Sequence, residues 1–156
     1  MARNRIDGTN DPETLNGTTG DDDIRGKRGD DTLNGFEGND RLRGDKGDDI
    51  LNGGDGRDRL RGDHGDDTLT GGADRDRFKF DLQGGHDTVT DYEDEVDVLD
   101  FTNFAIAPTD TQSAFEVLMA HAEQVGDDVV FTMDTGEMMT IQNTLITDFD
   151  AGDFRI

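Results

Sequence analysis

From Gly8 to Lys79 the chain can be written as eight nonapeptides without a gap, and that register constrains the fold more than any other feature. The copies start at Gly8, Gly17, Gly26, Gly35, Gly44, Gly53, Gly62 and Gly71. The fourth place is glycine in the six inner copies and aspartate, Asp11 and Asp74, in the outer two. The sixth place is Glu13, Asp22, Asp31, Asp40, Asp49, Asp58, Asp67 and Asp76; the eighth is Leu15, Ile24, Leu33, Leu42, Leu51, Leu60, Leu69 and Phe78. A Gly/Asp-rich stretch of six residues followed by three centred on a large apolar side chain reads as a turn and a very short strand, with only the middle residue facing inward. Stacked copies make a solenoid around an aliphatic ladder.

A second period sets the geometry. The ninth place is Arg25, Arg43, Arg61 and Lys79 in even copies but Asn16, Asn34, Asn52 and Thr70 in odd ones. The seventh place follows suit, with Arg41, Arg59 and Arg77 in three even copies against Thr14, Thr32, Ile50 and Thr68 in odd ones. Two nonapeptides, 18 residues, then make one coil, and odd and even strands form separate parallel sheets. The predicted fold is all-β, a right-handed parallel β-roll. The segments are a lead over 1–7, the roll over 8–79 and a capping segment over 80–156.

One buried aliphatic per nine residues is little burial against the entropy of ordering nine backbones, and stacked turns bring like-charged aspartates together. A hard divalent cation reverses that repulsion, because carboxylates and turn carbonyls supply the six to eight oxygens that calcium takes. Magnesium prefers a rigid octahedron and retains water, so calcium fits better. Net charge is −23, which disfavours a nucleic-acid partner. There is no cysteine for a thiolate site, and no apolar run long enough for a membrane span.

The nonapeptides resemble the Gly-Gly-x-Gly-x-Asp-x-aliphatic-x repeat of RTX (repeats-in-toxin) proteins. That resemblance implies calcium held between turns two copies apart on one edge, by the sixth-place carboxylates and backbone carbonyls. The implied ligands are Asp22, Asp31, Asp40, Asp49, Asp58, Asp67 and Asp76. Asp22 pairs with Asp40, Asp31 with Asp49, Asp40 with Asp58, Asp49 with Asp67 and Asp58 with Asp76, and a further site forms where Glu13 pairs with Asp31. The count is about five or six Ca2+ ions. Copy one departs from the pattern with Asp11, Pro12 and Glu13, and reads as a cap. Second-place glycine is restricted to Gly54 and Gly72, which weakens individual sites on this reading. "GGHDTV" at 84–89 imitates half a copy and adds Asp87 as a candidate ligand.

Composition shifts near residue 80. Residues 8–79 carry 19 acids and 12 bases, while 80–156 carry 18 acids and a single base, Arg155. "DTVTDYEDEVDVLDFTNF" alternates as strands do, offering Val89, Val96, Val98, Leu99, Phe101 and Phe104 to a core. "SAFEVLMAHAEQVG" predicts a helix, started by a Ser113/Glu116 capping box, buried through Phe115, Leu118, Met119 and Ala122, and stopped at Gly126. "DVVFTMDTGEMMTIQN" predicts a β-hairpin turning at Asp134 to Gly136. The layout, including the closing "LITDFDAGDFRI", is similar to the C-terminal portions of RTX proteins exported by type I secretion. The resemblance implies an uncleaved C-terminal signal, the type I machinery as partner and an extracellular destination.

No His-Glu-x-x-His helix or Gly-x-Ser-x-Gly elbow is present, and His64, His86 and His121 lie apart in the sequence, so the expectation is a non-enzyme. The leading reading is a secreted module that folds on calcium. The alternative is a polysaccharide-binding module that meets an acidic glycan through the basic stripe of Arg25, Arg41, Arg43, Arg59, Arg61, Arg77 and Lys79. A third, ice or surface binding, draws on the threonine and asparagine rows of the odd copies.

Overall fold

The computed structural model describes residues 3–82, 84–104 and 113–156. Residues 1–2 of the lead, and 83 and 105–112 of the capping segment, lie outside the described residues. Among the described residues, fifteen strands form two sheets that face each other across a continuous core, with one α-helix beside them. Odd copies contribute β2 (Thr14–Asn16), β4 (Thr32–Glu37), β6 (Ile50–Asp55) and β8 (Thr68–Ala73) to one sheet. Even copies contribute β3 (Asp22–Arg28), β5 (Arg41–Lys46), β7 (Arg59–His64) and β9 (Arg77–Lys79) to the other. The pairing is parallel and in register at the 18-residue interval: Leu33 faces Leu51, and Leu42 faces Leu60. The two-sheet β-roll read from the alternation is the observed architecture.

Most of these strands are longer than the three residues expected, because pairing resumes after the first-place glycine. Lys27 pairs with Asp45, and Phe36 with Gly54. These second-place residues sit at positive φ whether or not they are glycine: Lys27 at 88°, Phe36 at 76°, Asp45 at 76° and Asp63 at 80°, against 108° for Gly54. The backbone path is therefore kept without second-place glycine, at some conformational cost to the side-chain-bearing residues. Gly54 has no such latitude, since a β-carbon there would overlap the Phe36 carbonyl.

The roll extends beyond the eight copies at both ends. In the lead, β1 (Asn4–Asp7) pairs with β3 and stacks Ile6 on Ile24. After the last copy, β10 (His86–Val89) adds Val89 to Leu69 at a spacing of 20 residues, and β11 (Val98–Asp100) adds Leu99 to Phe78 at a spacing of 21. Irregular turns absorb the extra residues while the inward side chains stay stacked.

The capping segment completes both sheets. Helix α1 (Ala114–Met119) starts at the Ser113/Glu116 capping box, as predicted, and buries Leu118. It ends earlier than expected. Ala122–Val125 is instead strand β12, antiparallel to β13 (Asp128–Thr132), with Ala122 opposite Phe131. The free edge of β13 supplies backbone hydrogen bonds that outweigh the weak helical preference of this segment, and Gly126, at φ 68°, turns the β12–β13 hairpin. The predicted second hairpin is present, with β14 (Met138–Ile141) antiparallel to β13 and parallel to β10. Finally β15 (Phe154–Arg155) joins β11. Phe101 is the hub of the cap core, with ring centroids 5.0 Å from Phe80, 5.8 Å from Phe104 and 5.7 Å from Phe131. Of the core residues expected from the sequence, Val96 is only half-buried, while Val89, Val98, Leu99, Phe101 and Phe104 are buried.

Candidate metal centre

Each sixth-place carboxylate stands where a turn enters a strand. Asp22, Asp31, Asp40, Asp49, Asp58, Asp67, Asp76 and Asp87 are all at most 4% exposed, an extreme burial for charged side chains. One oxygen of each has a fixed task. The N–H of Asp22 donates to Asp40 Oδ1 at 2.7 Å, Asp31 N to Asp49 Oδ1 at 2.8 Å and Asp49 N to Asp67 Oδ1 at 2.8 Å. Asp58 N reaches Asp76 Oδ1 at 2.9 Å, and Asp67 N reaches Asp87 Oδ1 at 3.3 Å. Same-edge partners two copies apart are thus brought together along both edges.

The second oxygen has no such task. Oδ2 of Asp31, Asp40, Asp49, Asp58, Asp67 and Asp76 is buried with no hydrogen-bond partner among the described residues. A buried, ionised carboxylate oxygen without a partner is strongly unfavourable unless a cation or a proton meets it. The first-place glycines show what lies in front of it. A β-carbon at Gly26 would sit 2.5 Å from Asp31 Oδ2 and 2.9 Å from the carbonyl oxygen of Gly44, so carboxylate and carbonyl converge on one small space that a side chain would fill. At Gly17 the same space is bounded by Gly35 O at 2.6 Å, Asp22 Oδ2 at 2.7 Å and Asn34 O at 3.1 Å. An all-oxygen set of carboxylate and backbone carbonyls is the donor chemistry of calcium. Among the described residues no three His, Cys, Asp or Glu side chains gather as a metal cage, so carbonyls must complete any coordination.

The ends of the ladder differ. Asp22 Oδ2 already accepts from Thr18 N at 2.6 Å and Thr18 Oγ1 at 3.0 Å. Glu13 donates its N–H to Asp31 Oδ1 at 2.9 Å, and its Oε1 would lie 2.8 Å from a β-carbon at Gly8, so its longer side chain reaches the equivalent space. The space at Gly84 is looser, with Asp87 Oδ2 at 3.5 Å from a β-carbon. Asp97 was not anticipated as a site residue, yet it takes the sixth place of β11. It is 3% exposed, accepts Asp76 N at 2.8 Å through Oδ1, and accepts Glu93 N at 3.0 Å through Oδ2. Its signal was "DVL" at 97–99, an aspartate two residues before a buried aliphatic, hidden by the spacing of 21.

Burial raises the affinity of these carboxyls for protons. Asp49 and Asp58 are pushed up to about 6, Asp76 and Asp87 to about 7 and Asp67 to about 8. Asp31, Asp40 and Asp97 are raised by the same desolvation. Neighbouring carboxylates add to the rise.

The RTX calcium-binding nonapeptide repeat model, four copies long, matches residues 16–51 and again residues 43–78. Residues 16–78 are RTX calcium-binding nonapeptide repeats. No curated protein matches it in sequence. Two solution structures of subunits of the mannuronan C5-epimerase from Azotobacter vinelandii are similar in fold to this chain. AlgE6R2 is 21% identical with a TM-score of 0.57, over 96% of this chain and 90% of that one. AlgE6R3 is 20% identical with a TM-score of 0.53, over 95% of this chain and 80% of that one. The extracellular lipase LipA of Serratia marcescens is 13% identical with a TM-score of 0.51, and the whole of this chain spans 40% of the lipase. At these identities the likeness is one of fold. The RTX repeats make this a calcium-binding β-roll module.

The RTX roll also carries cation-independent links between coils. Asn34 Nδ2 donates to Asn16 Oδ1 at 2.9 Å and Asn52 Nδ2 to Asn34 Oδ1 at 2.8 Å, so the asparagine row is occupied with itself. On the even face the ninth-place arginines reach second-place aspartates of the next coil: Arg25 pairs with Asp45, Arg43 with Asp63 at 3.8 Å and Arg61 with Asp81 at 2.5 Å. His121 Nδ1–H donates to Val117 O at 2.9 Å, and its Nε2 lies 3.5 Å from Asp134 Oδ1.

Proposed function

We propose that this chain is a calcium-responsive folding module that orders after export, with Asp31, Asp40, Asp49, Asp58, Asp67 and Asp76 as principal ligands and Asp22, Asp87 and Glu13 at the margins. The buried, unpartnered Oδ2 atoms carry this reading. Calcium, when bound, supplies the positive charge that six inward-facing carboxylates lack. The chain's own part is to hold each carboxylate by its Oδ1 bond and to present glycine carbonyls beside Oδ2. Occupancy of about five or six ions follows from the number of same-edge pairs.

Extracellular modules bind calcium at about 10⁻⁴–10⁻³ M, far above resting cytosolic levels, and a ligand that binds only the folded state stabilises it by mass action. That supports a chain that passes a type I exporter unfolded and orders outside. No helix among the described residues is long and apolar enough to cross a membrane. Circular dichroism during calcium titration, with magnesium as control, tests the reading. A cooperative gain of β signal with calcium alone is expected; an unchanged spectrum would overturn it.

A second reading, binding of an acidic polysaccharide, is favoured by a different observation. Arg41, Arg59 and Arg77 stack on the outer face of the even sheet without a carboxylate partner among the described residues. The similar AlgE6 subunits belong to an enzyme named for mannuronan. Retention of the calcium-loaded protein on an immobilised polyuronate is expected, and elution with the void volume at low salt would remove this reading.

A further inference from the structure

We propose that Arg57, Arg59, Arg75 and Arg77, with Arg3 beside them, form a cleft that holds carboxylates of an acidic polysaccharide lying across two coils. This rests on the polysaccharide reading and relocates its site from the whole even face to one corner of the roll.

The tripeptide Arg-Asp-Arg occurs twice, at 57–59 and 75–77, one coil apart. Its aspartate is the inward sixth-place carboxylate, so the arginines on either side project outward. Arg59 and Arg77 are register partners, which sets their backbones about 4.8 Å apart, and Arg57 and Arg75 flank them one residue before Asp58 and Asp76. In the same fifth place, the opposite edge carries Asp30, Asp48 and Asp66, which accept backbone N–H groups of the next coil. The arginines do no such work for the fold.

The ninth-place arginines of this sheet, by contrast, are matched. Arg25 has Asp45, Arg43 has Asp63, and Arg61 has Asp63 and Asp81. Arg57, Arg59, Arg75 and Arg77 form no ion pair among the described residues. They line a cleft of about 510 Å³ together with Arg3. Arg3 Nη1 and Arg77 Nε are buried with no hydrogen-bond partner among the described residues. Like charges stacked at this spacing repel, and an anion with several acceptor oxygens removes the repulsion.

The fork of a guanidinium matches a carboxylate with two parallel hydrogen bonds. An array spread over two coils suits charges repeated along a chain better than one small ion. Nucleic acid fits less well: the chain has no tryptophan, its one tyrosine, Tyr92, is buried, and its net charge is −23. Asp58 and Asp76 also line the cleft, so a cation held there neutralises its wall, and anion binding strengthens with calcium.

Calorimetry on the full chain with a short oligouronate, in calcium and in chelator, tests this, with inorganic sulfate and single-stranded DNA as parallel probes. Arg59→Gln/Arg77→Gln and Arg57→Gln/Arg75→Gln should each weaken oligouronate binding at least about tenfold, while Arg28→Gln/Lys46→Gln, an equal charge loss elsewhere, changes it by less than about twofold. Circular dichroism in calcium checks that each variant is folded. Where a glutamine pair does not fold, Arg59→Lys/Arg77→Lys keeps the charge, loses the fork, and should still weaken binding. Full binding by the array variants, with loss in Arg25→Gln/Arg43→Gln, overturns the cleft but leaves the polysaccharide reading standing. Absence of binding by the unaltered protein at low salt overturns both. Sulfate or DNA binding as tight as the oligouronate overturns the choice of ligand.

Discussion

The N–H of Asp40 donates to Asp58 Oδ1 at 2.7 Å, while Asp58 Oδ2 is buried with no partner of its own among the described residues. One carboxylate thus stitches two coils with one oxygen and presents the other to the space between them. The two oxygens can be tested separately, because an amide retains the first function and loses the charge of the second.

Asp49→Asn keeps an Oδ1 acceptor for Asp31 N and removes one inward charge. Calcium affinity at that position should fall at least about tenfold, since carboxylate charge count sets affinity. The residual β signal of the variant in chelator should meanwhile be no smaller than the parent's, because repulsion with Asp31 is relieved. An unchanged calcium isotherm would remove Asp49 from the ligand set.

Gly26→Ala places a methyl group 2.5 Å from Asp31 Oδ2 and 2.9 Å from Gly44 O. Calorimetric stoichiometry should drop by about one ion, with a higher calcium midpoint for folding. Full stoichiometry would mean that the space beside Gly26 is not where the cation sits.

The pH response of the metal-free protein has a definite sign. Buried Asp67, Asp76, Asp87, Asp49 and Asp58 are raised to between about 6 and about 8 from an unfolded value near 3.9. Their contribution to the metal-free fold is therefore fully present below about pH 4 and lost as pH rises through about 6 to 8. In chelator, the β signal by circular dichroism should be larger at about pH 5 than at about pH 8. A signal flat across that range, or growing with pH, contradicts the burial of these groups in the metal-free roll.

Leu51 is completely buried between Leu33 and Leu69. Leu51→Ala should cost about 2–5 kcal/mol in urea unfolding at saturating calcium. Because folding and binding are linked, its calcium midpoint should rise although no ligand is touched.

Arg61 lies between Asp63 and Asp81, 2.5 Å from each, with its side chain about one-third exposed. Arg61→Gln should lower stability by about 1 kcal/mol or less, an effect that fades in high salt. A loss that persists in molar salt would point to packing rather than charge.

The two-sheet roll, its aliphatic ladder and the sixth-place carboxylates were legible because a fixed period of nine fixes both facing and stacking: it alone makes Leu33, Leu42 and Leu51 inward-facing. The same period, doubled, assigned the arginines to one sheet and the asparagines to the other. What tertiary structure alone decided lies where the period breaks or where a partner is distant. Asp97 joined the ladder across 21 residues, because an irregular turn absorbed the extra length while Leu99 stayed on Phe78. Ala122–Val125 left its helix for a strand because the edge of β13 offered hydrogen bonds that local sequence does not encode. The basic stripe divided into matched and unmatched arginines because pairing depends on which aspartates the next coil brings within reach. Repetition writes local geometry into a chain; interactions between distant, non-repeating residues are settled only when the chain packs.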